Sequence, residues 1–222
     1  MSKTRLLTAV TMGLAGLLLT GCGTAAPGIA ARIGDQELTV REVDQATANY
    51  CLALGKLESE VPMSFVRQFV IQLLALRSQA EQIADEYGVE PGSTYANDVA
   101  QRQGTAATKP EEVRQDYVDL ASTTAYAQDI LDQVGKIELD EQGVEDATPE
   151  QVSQAGVDVF DRWPDVHGIE IDPRYGLTSV DGVLTPIDTN TSVAVGETAK
   201  SGLATEPDTA FAKSLPITQR CG

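Results

Sequence analysis

The chain contains a single histidine, His167, so any serine-histidine-aspartate site would have to use it. Asp161 and Asp165 are close to it in sequence, and the chain has several serines. No serine lies in the glycine-flanked pattern that exposes a nucleophile on a sharp turn between a strand and a helix. We therefore interpret His167 as a loop histidine without a catalytic role.

An acidic segment supplies a second set of potential ligands. Its four carboxylates are Asp140, Glu141, Glu145 and Asp146. They do not have the spacing of a calcium-binding loop, so we predict a solvated acidic run. The sequence also has no glycine-rich phosphate loop and no paired cysteine or histidine spacing for zinc. These observations predict no catalytic residues, no metal site and no cofactor, and hence a protein that is not an enzyme.

The first of three cysteines follows an apolar segment at the N-terminus. Lys3 and Arg5 precede the uncharged run Leu6–Leu19, which is shorter than the roughly 20 residues of a membrane-spanning helix. This layout predicts a signal peptide over residues 1–21. Residues 19–22, Leu-Thr-Gly-Cys, resemble the lipobox of bacterial lipoproteins, which implies that the signal is cut before Cys22 and that lipid is attached to its sulfur. The alternative is a plain secretory signal with an incidental cysteine.

The other two cysteines are Cys51 and Cys221. In an oxidising compartment an even pair predicts a disulfide, which here would close a loop of about 170 residues. The alternative is two free thiols, with Cys51 buried as a small apolar residue.

The charge balance excludes some partners. The formal net charge is −17, and it becomes −19 once Lys3 and Arg5 are removed with the signal. Such a chain repels nucleic-acid phosphates and anionic lipid headgroups. We therefore predict no nucleic-acid partner and a membrane contact made by the lipid anchor alone, on the extracytoplasmic face of the bacterial cell membrane.

The elements that would position any site begin with a hairpin. Residues 29–33 and 36–38 predict two strands joined by a type II′ turn at Gly34 and Asp35. Thr39 and Glu42 have capping-box spacing, so a helix should follow at once. Its apolar face would contain Val43, Ala46, Tyr50, Leu54 and Leu57, with Cys51 at the margin.

Helical periodicity dominates the middle of the chain. Apolar residues spaced by three and four predict a helix over 64–87, ended by Gly88, and a second long helix from Pro110 to Gly135. A short helix over 94–103 lies between them, and Lys136–Ala147 is a short acidic connection. Thr148 caps a further helix that Pro164 stops after Trp163. A strand over 168–172 and a hairpin turning at Asp181 and Gly182 follow.

These elements define the predicted organisation. The fold class is mainly α, with a small sheet formed near the two ends of one helical domain. Residues 22–28 are the lipidated cysteine and a flexible tether, residues 29–185 the domain, and residues 186–222 an irregular tail pinned by the disulfide at its end.

The order of the elements resembles the N-terminal domain of SurA-type and PrsA-type extracytoplasmic chaperones. The opening IGDQELT, residues 33–39, and the close DEYGV, residues 85–89, are similar to that family's first turn and to the end of its second helix. The family usually has Asn-Gly at the turn, where this chain has Gly34 and Asp35. Residues 172–176, DPRYG, resemble the segment where such chains return after their isomerase insert.

The resemblance implies chaperone function without catalysis. Many family members carry a parvulin prolyl isomerase domain after the last long helix, but here only Lys136–Ala147 occupies that place, so we do not predict isomerase activity. We expect a holdase that binds unfolded or exported polypeptides, or alternatively a structural lipoprotein with one folded partner. The candidate peptide-binding groove consists of Val66, Phe69, Val70, Leu74, Tyr117 and Leu120, each of which has simple core packing as its alternative.

Overall fold

The computed structural model describes residues 27–180, 183–186 and 206–222. The protein is mainly helical with small sheets, as the sequence predicted. The helices are α1 (Val40–Leu54), α2 (Met63–Tyr87), α3 (Ser93–Ala106), α4 (Arg114–Ala121), α5 (Thr123–Glu141), α6 (Pro149–His167) and α7 (Thr209–Ser214). The strands are β1 (Ile29–Ile33), β2 (Gln36–Thr39), β3 (Val61–Pro62), β4 (Ile169–Ile171), β5 (Leu177–Val180), β6 (Val183–Pro186) and β7 (Arg220–Cys221).

A three-stranded antiparallel sheet joins the two ends of the helical region. Its order is β2-β1-β4, with Ala31 opposite Ile171 and Ile33 opposite Ile169. Gly34 has a φ of 55°, in keeping with glycine at the first central position of the predicted turn. The prediction of a hairpin completed by a strand from far along the chain is therefore confirmed. Strands β5 and β6 also pair as an antiparallel hairpin, although its turn at residues 181 and 182 lies outside the described residues.

Local capping signals set the helix starts that the sequence predicted. Thr39 and Glu42 form a reciprocal capping box at α1, and Thr148 and Gln151 form another at α6. Helix α2 ends at Gly88, whose φ of 64° is left-handed. Its apolar face packs against the sheet, α5 and α6 in the main core, whose largest fully buried side chains include Ile33, Ile71, Ile83, Ile130 and Leu177.

The second long helix differs from its prediction at three places. It begins with a 3-10 turn, Glu111–Val113, and it breaks at Ser122 (φ −92°, ψ 0°), which separates α4 from α5. It also continues through Gly135 to Glu141. Gly135 faces Gly156 of α6, where a side chain would overlap the backbone of the other helix, so this glycine permits close packing and is not a terminator.

Helix α3 is longer than predicted, because it runs through Gly104 to Ala106. Its start has no capping side chain of its own. Instead, Asp129 of α5 is buried and its Oδ2 accepts the backbone N–H groups of Gly92 (2.6 Å) and Tyr95 (3.1 Å). A carboxylate is stabilised at the N-terminus of a helix, which is the positive end of the helix dipole. These two hydrogen bonds from Asp129 therefore attach the start of α3 to α5.

Helix α6 passes through Pro164 instead of stopping there, and it ends at His167. Proline has no N–H, so the carbonyl oxygen of Phe160, one helical turn earlier, loses its usual donor. The side chain of Gln79 supplies a replacement, because its Nε2 donates to Phe160 O at 2.8 Å in the buried interface between α2 and α6. The prediction was wrong because this donor lies 81 positions away in the sequence.

We expect Gln79→Leu to lower the free energy of unfolding by about 1–3 kcal/mol, since it leaves a buried carbonyl without a donor. The loss should shrink when Pro164→Ala is added, because alanine restores the N–H that can bond to Phe160 O. Urea unfolding of the two single variants and the double variant measures this coupling. Equal losses with and without Pro164→Ala would contradict this account of the continuous helix.

The described end of the tail is regular, contrary to the prediction of an irregular segment over 186–222. Helix α7 is capped by Asp208, a 3-10 turn covers Ile217–Gln219, and β7 pairs with β3. Cys221 is fully buried in one apolar cluster with Val66, Val70 and Leu120. Residues 206–222 therefore contribute to the packing of the helical domain.

A candidate binding cleft between four helices

An open cleft of about 440 Å³ lies between α1, α2, α4 and α5. Its apolar part consists of Ala46, Leu74 and Leu120, and its polar part of Arg77, Glu81, Asp116, Asp119 and Thr123. The volume is within the range of roughly 300–1,000 Å³ that is usual for ligand pockets. The cleft therefore combines an aliphatic surface with charged groups.

Helical spacing places these side chains together. Leu74, Arg77 and Glu81 are three and four residues apart on α2, so they form one row along the helix. Asp116, Asp119 and Leu120 form a corresponding row on α4, and Thr123 at the start of α5 extends it. The hydroxyl of Thr123 donates to the carbonyl oxygen of Asp119 at 3.3 Å, across the break at Ser122.

The charge of Arg77 is fully engaged on its own side of the cleft. Its guanidinium carbon lies 3.6 Å from the ring centroid of Tyr126 and 5.4 Å from that of Tyr95. Its Nε donates to Oε1 of Glu81 at 2.5 Å. Burial acts to lower the pKa of Arg77, but the hydrogen bond to Glu81 acts in the other direction, and the net pKa is raised. Arg77 and Glu81 thus form a closed, neutral pair.

The two carboxylates of α4 have only neutral donors. Nδ2 of Asn49 donates to Asp116, and Nε2 of Gln115 donates to Oδ1 of Asp119 at 2.7 Å. Both aspartates are exposed. Over residues 27–180, 183–186 and 206–222, neither one has a lysine or arginine nitrogen within salt-bridge distance. The α4 side of the cleft therefore carries uncompensated negative charge.

The six predicted groove residues differ in burial and in position relative to the cleft. Leu74 is half-buried and lines the cleft. Leu120 contributes to the floor of the cleft but is only 6% exposed. Val66, Val70, Tyr117 and Leu120 are buried in apolar clusters, as their core-packing alternative predicts. Phe69 is 39% exposed and its ring centroid lies 5.7 Å from that of Tyr50, which in turn stacks on Tyr117 at 6.4 Å.

The charged lining residues were not predicted from the sequence. The predicted groove contained only apolar residues, while Arg77, Glu81, Asp116 and Asp119 flank the apolar face of each helix. The signal was nevertheless available for the first pair, because an arginine and a glutamate four residues apart on a helix lie side by side. Nothing in the sequence indicates that α4 would face α2 across an open space.

His167 lies at the last position of α6 and not in a loop. Its ring stacks on Trp163 with centroids 4.4 Å apart, and its Nε2 lies 3.3 Å from Oε1 of Glu86. The same glutamate oxygen accepts the indole N–H of Trp163 at 3.1 Å. These contacts join the end of α6 to α2. The role that they indicate for His167 is structural.

The acidic run is exposed, as predicted: Asp140, Glu141, Glu145 and Asp146 all face solvent. Asp140 pairs with Nζ of Lys136 at 2.7 Å one helical turn earlier. Within the described ranges, no three side chains of histidine, cysteine, aspartate or glutamate are grouped closely enough to hold a metal ion.

The predicted cysteine pair is found at disulfide distance. The sulfurs of Cys51 and Cys221 are 2.18 Å apart and their Cα atoms 5.6 Å apart. Cys22 and the predicted signal peptide lie outside the described residues. In the part of the chain that the structure describes, no helix has the length and apolar character needed to cross a membrane.

Comparison of the chain with protein-family models, with curated proteins and with solved structures found no match in any of the three.

Proposed function

We propose that this protein is a lipid-anchored, extracytoplasmic holdase that binds unfolded or exported polypeptides without catalysis. The observation that carries the proposal is the open cleft between α1, α2, α4 and α5, in which the half-buried Ala46 and Leu74 lie beside the buried Leu120. Solvent-facing aliphatic surface in a concave site favours the binding of apolar side chains of another chain.

The resemblance to the SurA-type N-terminal domain supports the proposal. The hairpin, the capped helix, the long helix ending in Tyr87 and Gly88, the short helix and the next long helix occur in the predicted order. The return strand β4, just before the DPRYG segment at residues 172–176, completes the sheet. The SurA-like identity of the domain remains part of the proposal.

The size of the cleft favours weak and exchangeable binding. A bound aliphatic side chain contributes about 1.5–3 kcal/mol when fully buried, and the ordering of the bound segment offsets much of that. A holdase needs such affinities, because it must release its client without an energy source. An enzyme-like pocket would instead require precisely placed polar groups.

The anchor determines where this binding takes place. Lipid on Cys22 and the short tether to residue 28 would hold the domain close to the extracytoplasmic membrane surface. The net charge of −19 after signal removal keeps the protein itself away from anionic headgroups, so the cleft stays available to polypeptides that emerge from the membrane.

The test uses the soluble protein that begins after Cys22. We expect it to slow the aggregation of a chemically denatured client at near-stoichiometric ratios, followed by light scattering. Leu74→Ser should weaken this protection about ten-fold in concentration, since it removes about 1.5 kcal/mol of apolar contact. Leu76→Ser is the matched control, because Leu76 is a partly buried leucine of the same helix that lines a different, smaller hollow.

Three outcomes would contradict the proposal. The first is no protection of the client at ten-fold excess of this protein. The second is an equal loss of protection for Leu74→Ser and Leu76→Ser in variants of matched stability. The third is a proline-peptide isomerisation rate above background, since the proposal involves no catalysis. Cross-linking in cells distinguishes the structural alternative, because a holdase captures many clients and a scaffold captures one.

A further inference from the structure

We infer that the cleft selects segments in which lysine or arginine alternates with aliphatic residues. This inference rests on the proposed function, from which it takes the class of ligand, a polypeptide. It adds that the bound segment is positively charged. The carrying observation is the asymmetry of the two sides: Arg77 and Glu81 on α2 neutralise each other, while Asp116 and Asp119 on α4 have only amide partners.

The aliphatic part of the cleft and its acidic side lie next to each other. Asp119 and Leu120 are consecutive on α4, and both line the cleft together with Leu74 across it. A lysine or arginine side chain can lay its methylene stem along such aliphatic surface while its charged end reaches a carboxylate at the rim. An aliphatic residue next to it then contacts the half-buried side chains of Ala46 and Leu74.

Other occupants fit less well. An anionic ligand would face two uncompensated carboxylates and a net charge of −19 after signal removal, and the arginine in the cleft is already held by Glu81 and the tyrosine rings. A metal ion would need a third protein ligand, which the described residues do not group there. A neutral apolar segment fits the aliphatic part but leaves both carboxylates unused.

The expected contribution of the charges is moderate. Exposed ion pairs are individually weak and are screened by salt, so two of them should change affinity by about ten-fold at low ionic strength and by much less at high ionic strength. The overall negative charge should also raise the association rate of basic segments.

The experiment measures fluorescence anisotropy of three labelled peptides of equal length on the soluble protein. In all three, leucine alternates with a second residue, which is lysine in the first peptide, glutamine in the second and glutamate in the third. We expect the lysine peptide to bind about ten-fold more tightly than the glutamine peptide and the glutamate peptide to bind most weakly. The paired change Asp116→Asn and Asp119→Asn should reduce the preference for lysine to the small part that the overall charge supplies, and it should leave the glutamine peptide unaffected.

A charge-matched control separates the cleft from the net charge. Glu145→Gln with Asp146→Asn removes the same charge from exposed positions outside the cleft, and it should preserve the preference for lysine. Loss of the preference in this control, or equal binding of all three peptides, overturns the inference while the holdase proposal stands. If none of the peptides binds and client aggregation is not slowed, the proposed function fails together with the inference.

Discussion

Replacing Gly156 by alanine is expected to lower the free energy of unfolding by about 3 kcal/mol. A Cβ at this position would overlap the carbonyl oxygen of Leu131 and lie 2.7 Å from its side chain. The obstructing oxygen belongs to the backbone of α5 and cannot rotate away, so the two helices would have to separate. Gly135→Ala should act similarly from the other side, where a Cβ would lie 2.6 Å from the backbone nitrogen of Gly156.

Gly104→Ala is the control for this prediction. Gly104 is also helical, but a Cβ there meets nothing within 4 Å. Alanine should therefore raise the free energy of unfolding by about 0.5 kcal/mol through its better helix propensity. Urea unfolding can follow the fluorescence of Trp163, which is the only tryptophan and is buried. Similar effects of Gly104→Ala and Gly156→Ala would contradict the close packing of α5 and α6.

The sequence predicted those elements whose signals are local. Helix α2 was expected over 64–87 and is found over Met63–Tyr87, because its apolar periodicity and its terminal glycine agree. The capping-box spacing at Thr39 and the capping residue Thr148 predicted two more helix starts correctly. Each of these signals depends on residues within one or two helical turns.

The errors arise where a distant residue changes the meaning of a local signal. Gly135 resembles a helix end, but α6 approaches it so closely that only glycine fits. Pro164 resembles a helix stop, but Gln79 supplies the missing donor. Pairing of β3 with β7 involves two residues on each strand, which is too short to produce a periodic pattern.

The candidate site was predictable in its apolar part only. The predicted groove included Leu74, but the sequence does not say which apolar residues are covered. Val66, Val70 and Leu120 are covered in a cluster that includes Cys221, from the far end of the chain. The acidic side of the cleft depends on the position of α4, which follows from the break at Ser122.

Removing the disulfide between Cys51 and Cys221 should lower the stability of the whole fold. We expect Cys51→Ala with Cys221→Ala to lower the free energy of unfolding by about 3–5 kcal/mol, since the bond spans 170 positions and restricts the unfolded chain strongly. The loss should be visible as a lower urea midpoint. Chemical reduction of the wild-type protein should lower the midpoint by a similar amount.

The same change should release residues 206–222 before the rest of the fold unfolds. Short pairing of β3 with β7 and the ion pair of Arg220 with Glu60, at 3.1 Å, are weak without the covalent link. Hydrogen exchange should therefore accelerate first in α7 and β7, and an apolar dye should bind to the uncovered surface around Val66 and Val70. Ile217→Ser, a change at a 77% exposed side chain of the same segment, is the control and should do neither. Unchanged exchange in this segment after reduction would mean that packing alone holds it, and that the disulfide stabilises the domain elsewhere.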